Sequence, residues 1–182
     1  MRLDRNRSFL LVIDIQARLA PAIRKNEDVT ARCIALVRAA RLLGVPVFAT
    51  EHCPERIGPI VPELRTLLTD DEIMSKRHFS CADDPVILGR LKELGRFQAV
   101  VAGIEAHVCV MQAALGLAEH GFTPFVVSDA AGSRHVADYA AAIDRLRAEG
   151  IGVVSAEMAM FEWLGHADNA VFREVLGIVK SL

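Results

Sequence analysis

The sequence predicts a three-layer α/β protein in which helices cover both faces of a doubly wound, six-stranded parallel sheet. Short apolar segments alternate along the chain with longer segments of helical spacing, which is the pattern of repeated β-α units. The apolar segments are continuously hydrophobic, as expected for strands buried on both faces. Because no repeat or linker divides the 182 residues, we expect a single domain over residues 1–182.

The predicted strands are the short apolar segments, each bounded by charged residues, glycine or proline. The first ends at Asp14-Ile15-Gln16, and the third is the weakest because it is only partly apolar. A loop is expected at 51–62, which contains three prolines and a glycine. The strands are predicted at 8–15, 45–50, 72–76, 97–102, 123–128 and 151–154.

The predicted helices have recognisable start and stop signals. Gly44, Gly95, Gly121 and Gly150 follow four of them, as C-terminal glycines commonly do. The helix opened by Asp83-Asp84-Pro85 has an acidic start and an early proline, and Ser133 is a candidate cap for the helix that follows it. The helices are predicted at 29–43, 83–94, 107–120, 133–149, 158–164 and 169–179, with one or two turns at 63–68.

Composition excludes several functional classes. The formal net charge is −2 and no basic run is present, so nucleic acid is not an expected partner. The apolar stretch at 9–15 is too short to span a bilayer, and we predict a cytoplasmic location without a membrane partner. The four cysteines form no C-x-x-C pair or zinc-finger spacing, and we expect reduced thiols.

Polar residues that follow the strands are the candidates for a functional site. In an open parallel sheet, ligands bind beyond the carboxyl ends of the strands, where the strand order reverses. A carboxylate, an ammonium and a thiol reach this edge from three different strands. The residues at the strand ends are Asp14, Gln16, Glu51, His52, Lys76, His78, Glu105, His107, Cys109 and Asp129.

Three of these residues together suggest nucleophilic catalysis. Cys109 lies in the first turn of a predicted helix, where the helix dipole favours ionisation of a thiol. Asp14 can accept the thiol proton, while Lys76 orients this carboxylate. Backbone N–H groups at Cys109 and in the turn at 103–106 can form an oxyanion hole. A Cys–His dyad with His107 is disfavoured, because residues two apart on a helix point in different directions.

Three motifs support this interpretation. The segments Val-Ile-Asp-Ile-Gln at 12–16, Ser-Lys-Arg-His-Phe-Ser at 75–80 and Gly-Ile-Glu-Ala-His-Val-Cys-Val at 103–110 resemble the signature segments of the isochorismatase-like cysteine hydrolases. The resemblance extends through Val-Ser-Asp-Ala-Ala-Gly-Ser-Arg at 127–134 and therefore spans nearly the whole chain.

The resemblance has implications for roles and topology. It implies that Asp14 is the general base, Lys76 its charged partner and Cys109 the nucleophile. It implies the strand order 3-2-1-4-5-6, a cis peptide between Ile104 and Glu105, and an oxyanion hole formed by the amides of Glu105 and Cys109. A homo-oligomer is also expected, because the family commonly forms symmetric assemblies.

The substrate pocket is less well specified. Nicotinamidases of this family bind a metal through an Asp-x-His pair after the second strand, whereas this chain has Glu51-His52-Cys53 there. We therefore expect neither a metal nor a cofactor, and the chain looks most similar to the metal-free branch of the family. The residues predicted to line the pocket are Gln16, His52, Phe79, Glu105 and His107.

The predicted function is hydrolysis of a C–N bond in a small amide or related carbonyl compound through a thioester intermediate. Two alternatives stay open on the same fold. A small-molecule binding protein is one, although neither a G-x-G-x-x-G motif nor a P-loop follows any strand. A thiol-based redox protein is the other, although no resolving cysteine lies near Cys109 in sequence.

Overall fold

Six strands form one parallel sheet in the order β3-β2-β1-β4-β5-β6 in a computed structural model that describes residues 1–182. This is the predicted architecture and strand order. The reversal of order falls between β1 and β4, which lie side by side and in register from Ser8–Gln98 to Ile13–Gly103. The strands are β1 Ser8–Ile13, β2 Val47–His52, β3 Ile73–Lys76, β4 Gln98–Ile104, β5 Thr123–Gly132 and β6 Gly152–Val154.

Eight helices accompany the sheet. Helices α1, α7 and α8 contribute to the core on one face, and α4, α5 and α6 to the core on the other. A five-residue π-helical turn at Ala106–Val110 joins β4 to α5. The helices are α1 Asn26–Leu43, α2 Pro54–Ile57, α3 Pro62–Arg65, α4 Pro85–Glu93, α5 Met111–Glu119, α6 Val136–Ala148, α7 Ala156–Leu164 and α8 Phe172–Lys180.

The continuous apolar character of β1 is explained by burial on both faces. All six of its residues are buried. Because successive side chains of a strand point to opposite faces, Leu10 and Val12 enter the core beneath α1, whereas Phe9, Leu11 and Ile13 enter the core beneath α5. The two cores therefore share the central strands.

Several helix signals act as the sequence predicts. Asp84 caps α4 by accepting hydrogen bonds from the N–H groups of Val86 and Ile87 at 2.9 and 3.2 Å. Gly44 ends α1 in the left-handed conformation, with φ of 69°. Because glycine has no Cβ, it adopts this conformation without steric cost.

The predicted cap at Ser133 is wrong. Strand β5 continues to Gly132, and α6 begins at Val136 with His135 as its N-cap residue. Ser133 is buried, and its hydroxyl is hydrogen-bonded to Nδ1 of His107 at 2.9 Å. Its role is to connect the end of β5 to the turn after β4.

Other element boundaries also differ from the prediction. Helix α1 begins three residues earlier than expected, and α2 occupies part of the segment predicted as a loop at 51–62. Helix α3 confirms the one or two turns predicted at 63–68, although it begins one residue earlier. Strand β4 does not break at Gly103 but continues to Ile104. None of the helices combines the length and hydropathy needed to cross a membrane.

Candidate active site

Asp14 lies directly after β1, in a backbone conformation that is unusual for a residue with a side chain. Its φ is 52°, in the left-handed region that costs a non-glycine residue roughly 1–3 kcal/mol and is enriched at active sites. The residue is completely buried. Its Oδ1 accepts a hydrogen bond from Thr50 Oγ1 at 2.7 Å, and its Oδ2 accepts one from Lys76 Nζ at 2.6 Å.

Lys76 is the last residue of β3, and its ammonium group is buried against Asp14. Both side chains are fully inaccessible to solvent. Lys76 Nζ also donates to the carbonyl oxygen of His78 at 3.3 Å. A buried charge is tolerated only when it is paired and hydrogen-bonded, and this ammonium meets both conditions.

Gly103 allows the ends of β1 and β4 to come together. It pairs with Ile13 across the two strands and has φ of 121°. A Cβ atom at this position would lie only 2.6 Å from Ile13 N and 2.8 Å from Ile13 C. Because Gly103 has no side chain, the end of β1 before Asp14 can lie directly against the end of β4 that leads to the π-helical turn.

The π-helical turn positions Cys109. The carbonyl oxygen of Glu105 accepts hydrogen bonds from the N–H groups of both Val108 and Val110 at 3.1 Å. Cys109 lies between these two donors, and the residue is only 6% exposed. The peptide bond between Ile104 and Glu105 is cis, which confirms the expectation drawn from the family resemblance.

The Cys109 thiol lies within the electrostatic influence of both members of the Asp14–Lys76 pair. Its pKa is raised to about 12, mainly by burial and secondly by the Asp14 carboxylate, with Lys76 acting in the opposite direction. The prediction that the helix start makes this thiol more acidic is wrong, because removal from water outweighs the dipole. The resting group is a neutral thiol under the influence of a nearby carboxylate.

Glu105 and His107 direct their side chains toward the end of β5. The Glu105 carboxylate accepts a hydrogen bond from Arg134 Nε at 3.0 Å, and His107 is bonded to Ser133. His107 Nε2 lies 3.9 Å from the Asp138 carboxylate. The sequence argument against a Cys–His dyad agrees with this arrangement, because the imidazole is engaged elsewhere.

Two of the predicted pocket residues, Gln16 and His52, are joined to each other. The Gln16 side chain accepts from His52 N at 2.8 Å and donates to His52 O at 3.1 Å. It also donates to Gly58 O at 2.6 Å. Because Gln16 is completely buried, it shapes the site by fixing the end of β2. The His52 ring stacks on Phe79.

The neighbourhood of β2 offers no metal-binding cluster. No group of three or more His, Cys, Asp or Glu side chains is close enough to hold a metal ion. Glu51 Oε1 accepts a hydrogen bond from Ile60 N at 2.8 Å. This carboxylate therefore stabilises the loop after β2 and is not free to bind a metal.

Sequence reasoning missed several residues around the pair. Thr50 ends the apolar part of β2, and the sequence pattern indicates only a strand residue there, yet its hydroxyl donates a hydrogen bond to Asp14. Cys81 is a second buried thiol near the pair; burial raises its pKa to about 12, and the charges of Lys76 and Asp14 act on it in opposite directions. Cys81 follows the end of β3 by five residues, and this position is the one sequence signal that points to it.

Comparison with known proteins identifies the family. The model of the isochorismatase domain matches residues 8–158. This range includes all six strands, the buried Asp14–Lys76 pair and Cys109. The chain belongs to the isochorismatase domain family. Isochorismatase domain-containing protein 1 of Salmo salar is 34% identical over 169 residues, which are 92% of this chain but 59% of that protein. The chain therefore spans about three fifths of this relative's length.

Solved structures of isochorismatase-like proteins superimpose on nearly the whole chain. The MAR1 ribonuclease of Caenorhabditis elegans has a TM-score of 0.92 and 31% identity, with 99% of this chain and 93% of that chain covered. The Escherichia coli YcaC protein, described as an octameric hydrolase of unknown specificity, has a TM-score of 0.89 and 25% identity, with 100% and 96% covered. YcaC of Pseudomonas aeruginosa, solved with covalent acrylamide, has a TM-score of 0.91 and 28% identity, with 97% and 91% covered.

Proposed function

We propose that this chain is a cysteine hydrolase that cleaves the C–N bond of a small amide or related carbonyl compound through a thioester. Asp14, Lys76 and Cys109 are its catalytic residues. The observation that carries the proposal is a buried carboxylate–ammonium pair whose two charges both act on one buried thiol. A structural cysteine does not require two charges beside it, whereas a nucleophile requires a base and an orienting group.

In the first half of the reaction, the Cys109 sulfur attacks the carbonyl carbon as its proton moves to Asp14. Because the thiol is neutral at rest, proton transfer accompanies formation of the S–C bond. The negative charge that develops on the carbonyl oxygen is stabilised by the amides of Glu105 and Cys109. Collapse of the tetrahedral intermediate breaks the C–N bond, and the Asp14 proton leaves with the amine.

In the second half, water hydrolyses the thioester. The Asp14 carboxylate takes one proton from the water as its oxygen attacks the acyl carbon. Breakage of the C–S bond releases the carboxylic acid, and the proton held by Asp14 returns to the sulfur. Lys76 keeps its charge throughout and maintains the orientation of Asp14 by its 2.6 Å hydrogen bond.

The Pseudomonas aeruginosa relative supports the presence of a nucleophile. Its structure contains covalently bound acrylamide, an electrophile that reacts at its carbon–carbon double bond, so the attachment requires a nucleophile in that protein. The E. coli relative is described as a hydrolase. A role as a redox sensor is less well supported, because sensor thiols are acidic and exposed, whereas the Cys109 thiol is buried with a raised pKa.

RNA is not the substrate in this proposal, although the C. elegans relative is named a ribonuclease. The net charge is −2, and binding to RNA depends on neutralising its phosphates with basic groups. The proposed chemistry uses no cofactor or metal. We also propose a homo-oligomer, as in the octameric E. coli relative, and a reducing cytoplasmic location compatible with four free cysteines.

Ammonia release from a panel of small amides tests the proposed function. We expect turnover by the wild-type protein and a loss of at least about 10³-fold in C109A, because the nucleophile is removed. C53A is the control, since Cys53 is partly exposed and lies outside the proposed triad. Hydrolysis by C109A at the wild-type rate, or cleavage of RNA but of no amide, would refute the proposal.

A further inference from the structure

His52 lies beside the proposed catalytic pair, although the proposed mechanism does not use it. It is the last residue of β2 and pairs with Lys76 of β3. Side chains of paired residues project from the same face of a sheet, so the imidazole and the Lys76 side chain are neighbours. The charges of both Lys76 and Asp14 act on the ring, which therefore borders the reacting groups.

The His52 ring has one polar atom without a partner. Its Nδ1 is buried and makes no hydrogen bond. A buried polar group left unsatisfied costs about 1–3 kcal/mol and is rare enough to require a specific explanation. The Gln16 side chain donates one hydrogen bond to His52 O and accepts one from His52 N, so the residue is held in place although its Nδ1 makes no hydrogen bond.

Phe79 covers this ring and is itself exposed. The ring centroids of His52 and Phe79 are 5.3 Å apart, with an angle of 25° between the planes. The backbone on both sides of Phe79 is tied down, because His78 O accepts from Lys76 and Ser80 Oγ accepts from Ala82 N. Phe79 is nevertheless 52% exposed. A large apolar ring is thus presented to solvent next to the catalytic pair.

We propose that His52 and Phe79 form the recognition subsite for the substrate. His52 Nδ1 hydrogen-bonds to a polar group of the substrate close to the scissile carbonyl, and the Phe79 ring moves from its stacked position to cover a flat, apolar part of the substrate. This inference rests on the proposed function and specifies its substrate class as uncharged, planar amides.

The charges around the subsite favour an uncharged ligand. Lys76 is already neutralised by Asp14 at 2.6 Å, so the pair offers no net charge to a substrate. Burial and the Lys76 charge lower the pKa of His52, opposed by the carboxylates of Asp14 and Glu55 and by the His78 backbone. The imidazole is therefore neutral at pH 7 and can donate or accept one hydrogen bond at Nδ1.

Binding to the C109A protein tests this subsite without turnover. Dissociation constants for benzamide, cyclohexanecarboxamide and benzoate are measured by calorimetry or NMR titration. We expect benzamide to bind more tightly than the other two, H52L to weaken benzamide binding at least tenfold, and H52Q to retain most of it because an amide can replace the hydrogen bond. In F79A, the preference for benzamide over the non-planar cyclohexanecarboxamide is expected to disappear.

Matched variants separate recognition from structure. Phe97 is 55% exposed and precedes β4, at the amino ends of the strands and away from the site. His166 is exposed and follows α7. F97A and H166L are therefore each expected to leave all three dissociation constants unchanged. If H52L does not fold, H52Q and F79A still decide the question. Acidification is expected to weaken benzamide binding in C109A alone but not in C109A/H52Q, because a protonated imidazole repels Lys76.

The inference is overturned if C109A does not bind benzamide, if H52L binds it as tightly as C109A, or if F79A keeps the planar preference. These results leave the proposed function intact whenever the wild-type protein still releases ammonia and C109A does not. The reverse result, in which the subsite binds benzamide but C109A hydrolyses amides normally, refutes the covalent mechanism only.

Discussion

At the scale of single residues, the site depends on a thiol that burial makes less acidic. Water is excluded from Cys109, and the adjacent carboxylate further disfavours a thiolate. A thiolate formed before the substrate is attacked would be repelled by the Asp14 carboxylate. In the proposed mechanism, the proton therefore stays on sulfur until a substrate is attacked, and Asp14 is the base that then accepts it.

The substitution D14N tests this electrostatic relationship. Because the Asp14 carboxylate raises the pKa of Cys109 while Lys76 lowers it, loss of the carboxylate charge is expected to lower the pKa of the thiol from about 12. Hydrolysis is expected to be lost in the same variant, since the base is missing. The measurement is the pH dependence of thiolate absorbance, taken as the difference between each protein and its C109S counterpart.

Unfolding would also return the thiol pKa to about 9 and abolish hydrolysis, because burial is the main cause of the raised pKa. The pKa of D14N is therefore compared only after circular dichroism shows that the variant is folded. D138N is the control, because the Asp138 carboxylate lies 3.9 Å from His107 Nε2 and is not among the charges that shift the Cys109 pKa. A Cys109 pKa that stays the same or rises in D14N contradicts the described effect of the Asp14 carboxylate.

At the scale of elements, the close approach of β1 and β4 depends on one glycine. G103A is expected to prevent folding or to destabilise the protein by several kcal/mol, because the new methyl group overlaps the Ile13 backbone and the positive φ disfavours alanine. Chemical denaturation followed by circular dichroism measures the effect.

Gly89 provides the matched control for this prediction. It lies within α4 and has open space around the position of a Cβ atom. G89A is expected to stabilise the protein by up to about 1 kcal/mol, the difference in helix propensity. Equal effects of the two substitutions would show that β1 and β4 do not approach as described.

The elements also show how far sequence reasoning extends. The positions of Asp14, Lys76 and Cys109 follow from a general property of parallel sheets, whose carboxyl ends share one edge, and the structure brings these three residues together. The roles of Gln16 and Ser133 depend on hydrogen bonds to residues 36 and 26 positions away. Such partners are set by tertiary packing, and no local pattern encodes them.

At the scale of the whole molecule, buried thiols link stability to pH. Burial raises the pKa of Cys81 from 9.0 to about 12 and that of Cys33 further. In the unfolded chain these thiols ionise near pH 9, whereas in the folded protein they stay protonated. Their contribution to stability is therefore complete below pH 9 and is lost as the pH rises toward 12.

We expect the free energy of unfolding to fall between pH 9 and pH 11. Each thiol that stays protonated in the folded protein contributes up to about 1.4 kcal/mol per pH unit. Urea denaturation at successive pH values measures the slope. C33A and C81A are each expected to reduce it, and a slope unaffected by both substitutions would contradict the assignment.

The buried Asp14–Lys76 pair also constrains how such a chain can evolve. Removal of one partner leaves the other charge buried and alone, at a cost of about 3–5 kcal/mol, a large part of the stability of an ordinary domain. Replacement of both partners by apolar residues avoids this cost. Descendants that abandon the chemistry are therefore expected to change both positions together, because a lineage with only one charge passes through an unstable intermediate.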